Sequence, residues 1–260
     1  RRHSMRLSEH LAARGRTKKL LVMTHVVCGY PSFEDNWREL EIMAEFGVDL
    51  VELQFPFSEP SADGPLFVKA NQESLARGTT VEQCFEFMAR VSAHFPFRVL
   101  MMGYYNTAFK MGHEDFVRRL AQAGALGFIL PDLPVEEAGE LNALAVAADL
   151  APIVLMTPTS TDARLRTLGA AARGFVYVVA RKGVTGGSTA MNEDVTLLLD
   201  RCRAATQLPL ALGFGVASRE DIAFIAQHAD IAIIGTAALR AWENGGELGL
   251  RAFFAGLQLP

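Results

Sequence analysis

Asp49-Leu50-Val51-Glu52-Leu53 runs directly into Gln54-Phe55-Pro56-Phe57-Ser58-Glu59-Pro60-Ser61-Ala62-Asp63-Gly64-Pro65. The first part is a short, mostly apolar run of the kind a parallel strand buried on both faces requires. The second is a loop stiffened by Pro56, Pro60 and Pro65, with Gly64 free to turn the backbone beside Asp63. Working outward, similar Val-, Ile- and Leu-rich runs recur near 20–27, 97–102, 127–130, 151–156, 174–179, 208–212 and 231–234, each followed by a pattern of helical period. Ser32, Thr161 and Ser218 stand where helix N-caps are expected.

Eight such strand-helix units predict an α/β chain folded as a single (β/α)8 TIM barrel with extra terminal helices, one domain across residues 1–260. Residues 1–4 read as an appended remnant before a natural start at Met5. An open doubly wound sheet would carry a GxGxxG turn after its first strand, whereas this strand ends in Val27-Cys28-Gly29-Tyr30-Pro31. The segment 242–260, with Trp242, Leu248, Leu250, Phe253, Phe254 and Leu257, reads as a closing helix packed on the barrel.

Composition narrows the function classes. Half of the 260 residues are apolar, and 25 Lys and Arg stand against 29 Asp and Glu, a balance that suits a soluble enzyme. Nucleic acid is not an expected partner, because the only basic scatter is Arg14, Arg16, Lys18 and Lys19, read as a solvated helix end. Cys28, Cys84 and Cys202 lie far apart without CxxC spacing, which argues against a zinc site or disulfide framework and for reduced thiols in the cytoplasm. No apolar run reaches the ~18 to 20 residues of a membrane span.

Within the strand at 49–53, Glu52 is the anomaly. It shares a face with Leu50 under period-two alternation, where an unpaired carboxylate would cost several kcal/mol or take up a proton. Such a carboxyl suits general acid-base work; the bland reading is a partner such as Lys69. Asp63, on the braced loop, can face Glu52 across a substrate, although an Asp before Gly64-Pro65 is also a common turn residue. Three glycine clusters, Gly183-Val184-Thr185-Gly186-Gly187, Gly213-Phe214-Gly215 and Gly235-Thr236, suggest a phosphate site. The last two follow the seventh and eighth strands, where barrels hold phosphate on loop amides and a helix N-terminus.

These motifs converge on a family. Val51 to Asn71, VELQFPFSEPSADGPLFVKAN, resembles the signature of the tryptophan synthase α chain, close to ELGxPFSDPxADGPxIQxA. The resemblance continues through Tyr104-Tyr105-Asn106, Pro131-Asp132-Leu133-Pro134, Pro158-Thr159-Ser160, Gly174-Phe175-Val176-Tyr177 and Arg181-Lys182-Gly183-Val184-Thr185-Gly186 to Gly213-Phe214-Gly215. It implies a lyase of tryptophan biosynthesis that cleaves indole-3-glycerol phosphate into indole and glyceraldehyde 3-phosphate. Glu52 matches the family's general acid-base, and Asp63 the carboxylate at the indole N–H. Tyr104, Tyr177 and Phe214 match positions around the indole. Gly186, Gly215, Gly235 and Thr236 match phosphate-binding positions, and Thr185 lies on the family's mobile loop. The resemblance implies no metal or organic cofactor in this chain. Pyridoxal phosphate is expected only in a β subunit, the partner in a heterotetramer.

Departures from the pattern cluster beside the catalytic pair. Gln54 stands where glycine is usual, Glu59 where aspartate is usual and Ser61 where leucine is usual; Thr107 replaces a common proline, and His25 and Met102 fall at pocket positions. The altered loop is one the family uses toward its β subunit, so the departures bear on the coupling more than on the chemistry. Two other readings use the same residues: a stand-alone indole-3-glycerol phosphate lyase, separated by activity without a β partner, and a barrel that binds or activates without appreciable turnover, separated by an indole-release assay.

Overall fold

A computed structural model of the chain describes residues 5–180 and 188–260. Its strands are β1 (Leu21–Val27), β2 (Leu50–Gln54), β3 (Arg98–Met102), β4 (Gly127–Ile129), β5 (Ala151–Pro152), β6 (Val154–Met156), β7 (Val176–Val179), β8 (Leu210–Gly213) and β9 (Ile231–Ile234). Every pairing between them is parallel, in the order β5-β4-β3-β2-β1-β9-β8-β7-β6.

The two ends of that order are halves of one stretch of chain. Only Ile153 separates β5 from β6, and its N–H donates to the Phe128 carbonyl at 3.0 Å. The first half pairs with β4 and the second with β7, so the ring closes through the covalent chain as the (β/α)8 barrel expected from the sequence. The single run expected at 151–156 is therefore divided in its hydrogen bonding, as the stagger of a closed barrel requires.

Alternation along the strands builds two apolar layers. Met23, Leu50, Leu100, Ile129, Ala211 and Ile233 fill the barrel interior, while Val22, Val51, Leu53, Val99, Val178 and Leu212 pack outward under the helices. Those helices are punctuated as the sequence predicts. The Ser32 side chain accepts from the Asp35 N–H, that of Thr161 from Arg164 N–H, and Ser218 forms a capping box with Asp221.

Both ends of the chain modify the barrel. The helix Arg6–Gly15 buries Leu7 and Leu11 against the interior layer. Gly174, at φ +75°, makes room there, since a Cβ would meet Leu7 Cδ2 at 2.6 Å. The basic scatter behind this helix is not simply solvated. Arg14 Nε and Lys18 Nζ lie 2.6 and 2.9 Å from the carboxylate of fully buried Asp49, which also accepts from the Val22 N–H at 2.9 Å. The closing helix starts earlier than expected, spanning Thr236–Leu257 with non-helical backbone at Gly246. Trp242, Leu250, Phe254 and Leu257 are buried in it, but Leu248 is 80% exposed and takes no part in the packing. Among the described residues no helix is long and apolar enough to cross a membrane.

Candidate active site

With its floor covered, the barrel's recess lies at the C-terminal ends of the strands. Parallel register sets the first contact there, because His25 on β1 stands opposite Glu52 on β2. Glu52 has the parity of interior Leu50 and is 1% exposed. Its Oε2 makes no hydrogen bond, and His25 Nδ1 lies 3.5 Å away. Lys69 is not its partner; that ammonium lies 3.4 Å from Glu243 and 4.0 Å from Glu73.

From His25 a chain of hydrogen bonds leads to the second carboxylate. His25 Nε2 is 2.6 Å from Gln54 Oε1, and Gln54 Nε2 donates to Asp63 Oδ2 at 2.7 Å. Asn71, on the helix Pro65–Ala76, donates to the same Asp63 oxygen at 3.3 Å and accepts from the Phe57 N–H at 2.9 Å, fixing the loop at both ends. Backbone bonds from Ser61 N–H to the Glu59 carbonyl and from Asp63 N–H to the Pro60 carbonyl tighten the turn. Gln54 and Asn71 are fully buried, and both are hydrogen-bonded, as buried amides require.

The electrostatics follow from this enclosure. Burial alone pushes the His25 imidazole down, but the Glu52 carboxylate, Asp63 and the bond to Gln54 outweigh it, and the ring titrates above its ordinary value. Tyr177, on β7, is held well above the usual phenol range by burial and then by Glu52 and Asp63, so its hydroxyl remains a donor. Gly213 gives that ring space, since a Cβ there would sit 3.4 Å from the Tyr177 hydroxyl.

Glu52, Asp63, Tyr177, Phe214, Gly215, Gly235 and Thr236 all line one cavity, whose apolar wall includes Phe67, Met102, Ile129 and Leu155. At its far side Gly215 has φ +84°, open only to glycine without strain, and Gly235 is the N-cap of the final helix without any side-chain cap. Tyr104 stands just behind the cavity wall, with its hydroxyl beside Asp63. It is buried behind the Asp63 loop, stacked on Phe57 at 5.4 Å, and its hydroxyl accepts from the Ala62 N–H at 3.1 Å. Thr185 and Gly186 fall outside the described residues. Sequence reading did not single out Asn71, and it noted His25 only as a pocket position and Gln54 only as a departure in the loop that faces a partner. The available signal was a polar residue, Gln54, at the same parity as Glu52 in an interior strand.

Two buried-edge carboxyls, an imidazole and a phenol around one apolar recess at a barrel mouth define an acid-base enzyme of the (β/α)8 class. Residues 11–251 match the family model described as tryptophan synthase alpha chain. A tryptophan synthase alpha chain of Syntrophotalea carbinolica is 47% identical over 93% of this chain and 95% of its own length. That of Desulfotalea psychrophila is 46% identical over 98% and 100%. A solved structure of Mycobacterium tuberculosis tryptophan synthase superposes with a TM-score of 0.88 at 33% identity, covering 98% of this chain and 97% of that one. The chain belongs to the tryptophan synthase alpha chain family, and its reaction is the lyase cleavage of indole-3-glycerol phosphate.

Proposed function

We propose that Glu52 is the acid and base of this cleavage and that Asp63 stabilises the indole ring as it becomes cationic. The observation that carries the assignment is their convergence: a strand-borne carboxyl and a loop-borne one line the same recess with Tyr177. An indole is a poor leaving group until C3 is protonated. Glu52 supplies that proton and then accepts the proton of the hydroxyl on the adjoining glycerol carbon. The C–C bond breaks, its electron pair returns to the ring, and the hydroxyl carbon becomes the aldehyde of glyceraldehyde 3-phosphate. Asp63 meets the positive charge that reaches the ring N–H. Tyr177 and Phe214 bound the indole, whereas Tyr104 supports it indirectly by holding the Asp63 loop. Gly215, Gly235 and Thr236 receive the phosphate at the uncapped N-terminus of the last helix. On the sequence resemblance alone, Gly186 belongs with these phosphate-binding positions and Thr185 with the family's mobile loop that closes over substrate.

This chemistry calls on no metal or organic cofactor in the chain. The partner is a tryptophan synthase β subunit, which carries the pyridoxal phosphate, and the cytoplasm is the site of action. Glu52→Gln tests the core of the assignment. It should keep the wild-type melting temperature and lower indole release by about a hundredfold or more, the scale of a lost general acid-base. Near-wild-type turnover in the folded variant overturns it.

A further inference from the structure

We infer that His25 is a positioning residue for the cleavage: its Nδ1 shares a proton with Glu52, while its Nε2, through Gln54, ties the placement of Glu52 to that of Asp63. The inference rests on the assignment of those two carboxyls made above. It comes from the continuity of contacts between them: Glu52 Oε2 to His25 Nδ1 at 3.5 Å, His25 Nε2 to Gln54 Oε1 at 2.6 Å and Gln54 Nε2 to Asp63 Oδ2 at 2.7 Å.

The direction of each bond is fixed by donor chemistry. Gln54 has its amide nitrogen turned to two acceptors, Asp63 Oδ2 and, at 3.3 Å, Asn71 Oδ1. Its carbonyl therefore faces His25 and can only accept, so the ring carries hydrogen on Nε2. Nδ1 is left to face Glu52, either accepting from the carboxyl or donating to the carboxylate. The Phe67 ring packs against the imidazole at 4.6 Å. The titratable groups around the ring are Glu52 on β2, Asp63 on the loop and Tyr177 on β7, with Glu39 and Tyr30 sharing a small cavity with it. Lys69 is engaged by Glu243.

Proton bookkeeping closes over one turnover. The pair begins with one proton, passes it through Glu52 to indole C3, and is left as neutral imidazole and carboxylate. Glu52 then takes the glycerol hydroxyl proton as the C–C bond breaks, which restores the pair with one proton. Because the proton belongs to the pair, the site loses its acid only as pH rises through the raised titration of His25.

The test is a cycle of His25→Phe, Gln54→Gly and the double variant, with His25→Gln alongside, each read by kcat, KM and the pH profile of indole release. His25→Phe should lower kcat by about tenfold or more with KM little changed, and move the alkaline limb to lower pH. Adding Gln54→Gly to it should cost little further, so that the double loss falls short of the product of the single losses by about tenfold. His25→Gln can still donate to Gln54 but cannot titrate, and should move the limb in the same way even if His25→Phe fails to fold. A limb that stays in place in the His25 variants, a wild-type profile with no such limb, or single losses that multiply independently overturns the inference. Inactive Glu52→Gln alongside normal His25 variants rejects this inference alone. Active Glu52→Gln rejects the assignment beneath it as well.

Discussion

Asp63, proposed above to meet the charge that develops on the indole ring, is held on the recess by two amide side chains. Gln54 and Asn71 both donate to its Oδ2, so its place is set before substrate arrives. An amide at this position can still present a carbonyl to those donors, which makes Asp63→Asn a test of charge more than of packing. The variant should lose turnover nearly as severely as one lacking Glu52 while losing less ground-state affinity, because the indole becomes cationic only on the way to the transition state. Measured kcat and KM check this, and a raised KM with unchanged kcat contradicts it. The place of Glu52 in the recess was legible in the sequence because a carboxyl in an apolar strand has few explanations. His25 was not, since its pairing depends on β1 lying beside β2 in a register that puts residue 25 opposite residue 52. The bland alternative, a pairing with Lys69, is set aside for a related reason: its helix directs the ammonium to Glu243 and Glu73, a choice made by tertiary packing.

At the scale of elements, apolar runs and caps were readable because both are local. Strands show as short apolar runs because both their faces are buried, and Ser32, Thr161 and Ser218 cap because a hydroxyl before an acidic first turn satisfies free N–H groups. What failed was non-local. The start of the last helix at Thr236 is set by the end of β9, and Leu248 looks solventward because the backbone departs from helical geometry at Gly246. The same helix carries a prediction. Its N-terminus opens on the cavity without a side-chain cap, in contrast to the helix Arg219–His228, whose capping box already occupies its own N–H groups. Thr236→Val keeps the shape of the residue and removes its hydroxyl. Inorganic phosphate should then bind up to about tenfold more weakly, the scale of one hydrogen bond, with indole binding unchanged. Calorimetry with each ligand checks this, and an equal loss for both shows a general defect in the barrel mouth instead.

On the scale of the whole molecule, the barrel is covered at one end and presents its chemistry at the other. Asp49 anchors the covered end through Arg14 and Lys18, so the loop from Phe55 to Gly64 sits over a barrel held from below. That loop carries both Asp63, turned inward, and Glu59, turned to solvent. The Ser61 N–H bond to the Glu59 carbonyl and the Asp63 N–H bond to the Pro60 carbonyl make it one tight turn, through which a docked β subunit could move Asp63. Glu59 extends the aspartate usual at its position by one methylene, enough to displace a carboxylate by about an ångström and to spoil an interfacial hydrogen bond fitted to the shorter side chain. Mixing this chain with a β subunit whose own α chain carries aspartate there should therefore stimulate indole release weakly. Glu59→Asp should strengthen the stimulation without changing the activity of the isolated chain, because the side chain points away from the recess. Strong stimulation of the unmodified chain, with no gain on reversion, makes Glu59 a tolerated surface substitution and moves the coupling between subunits to some other part of the barrel mouth.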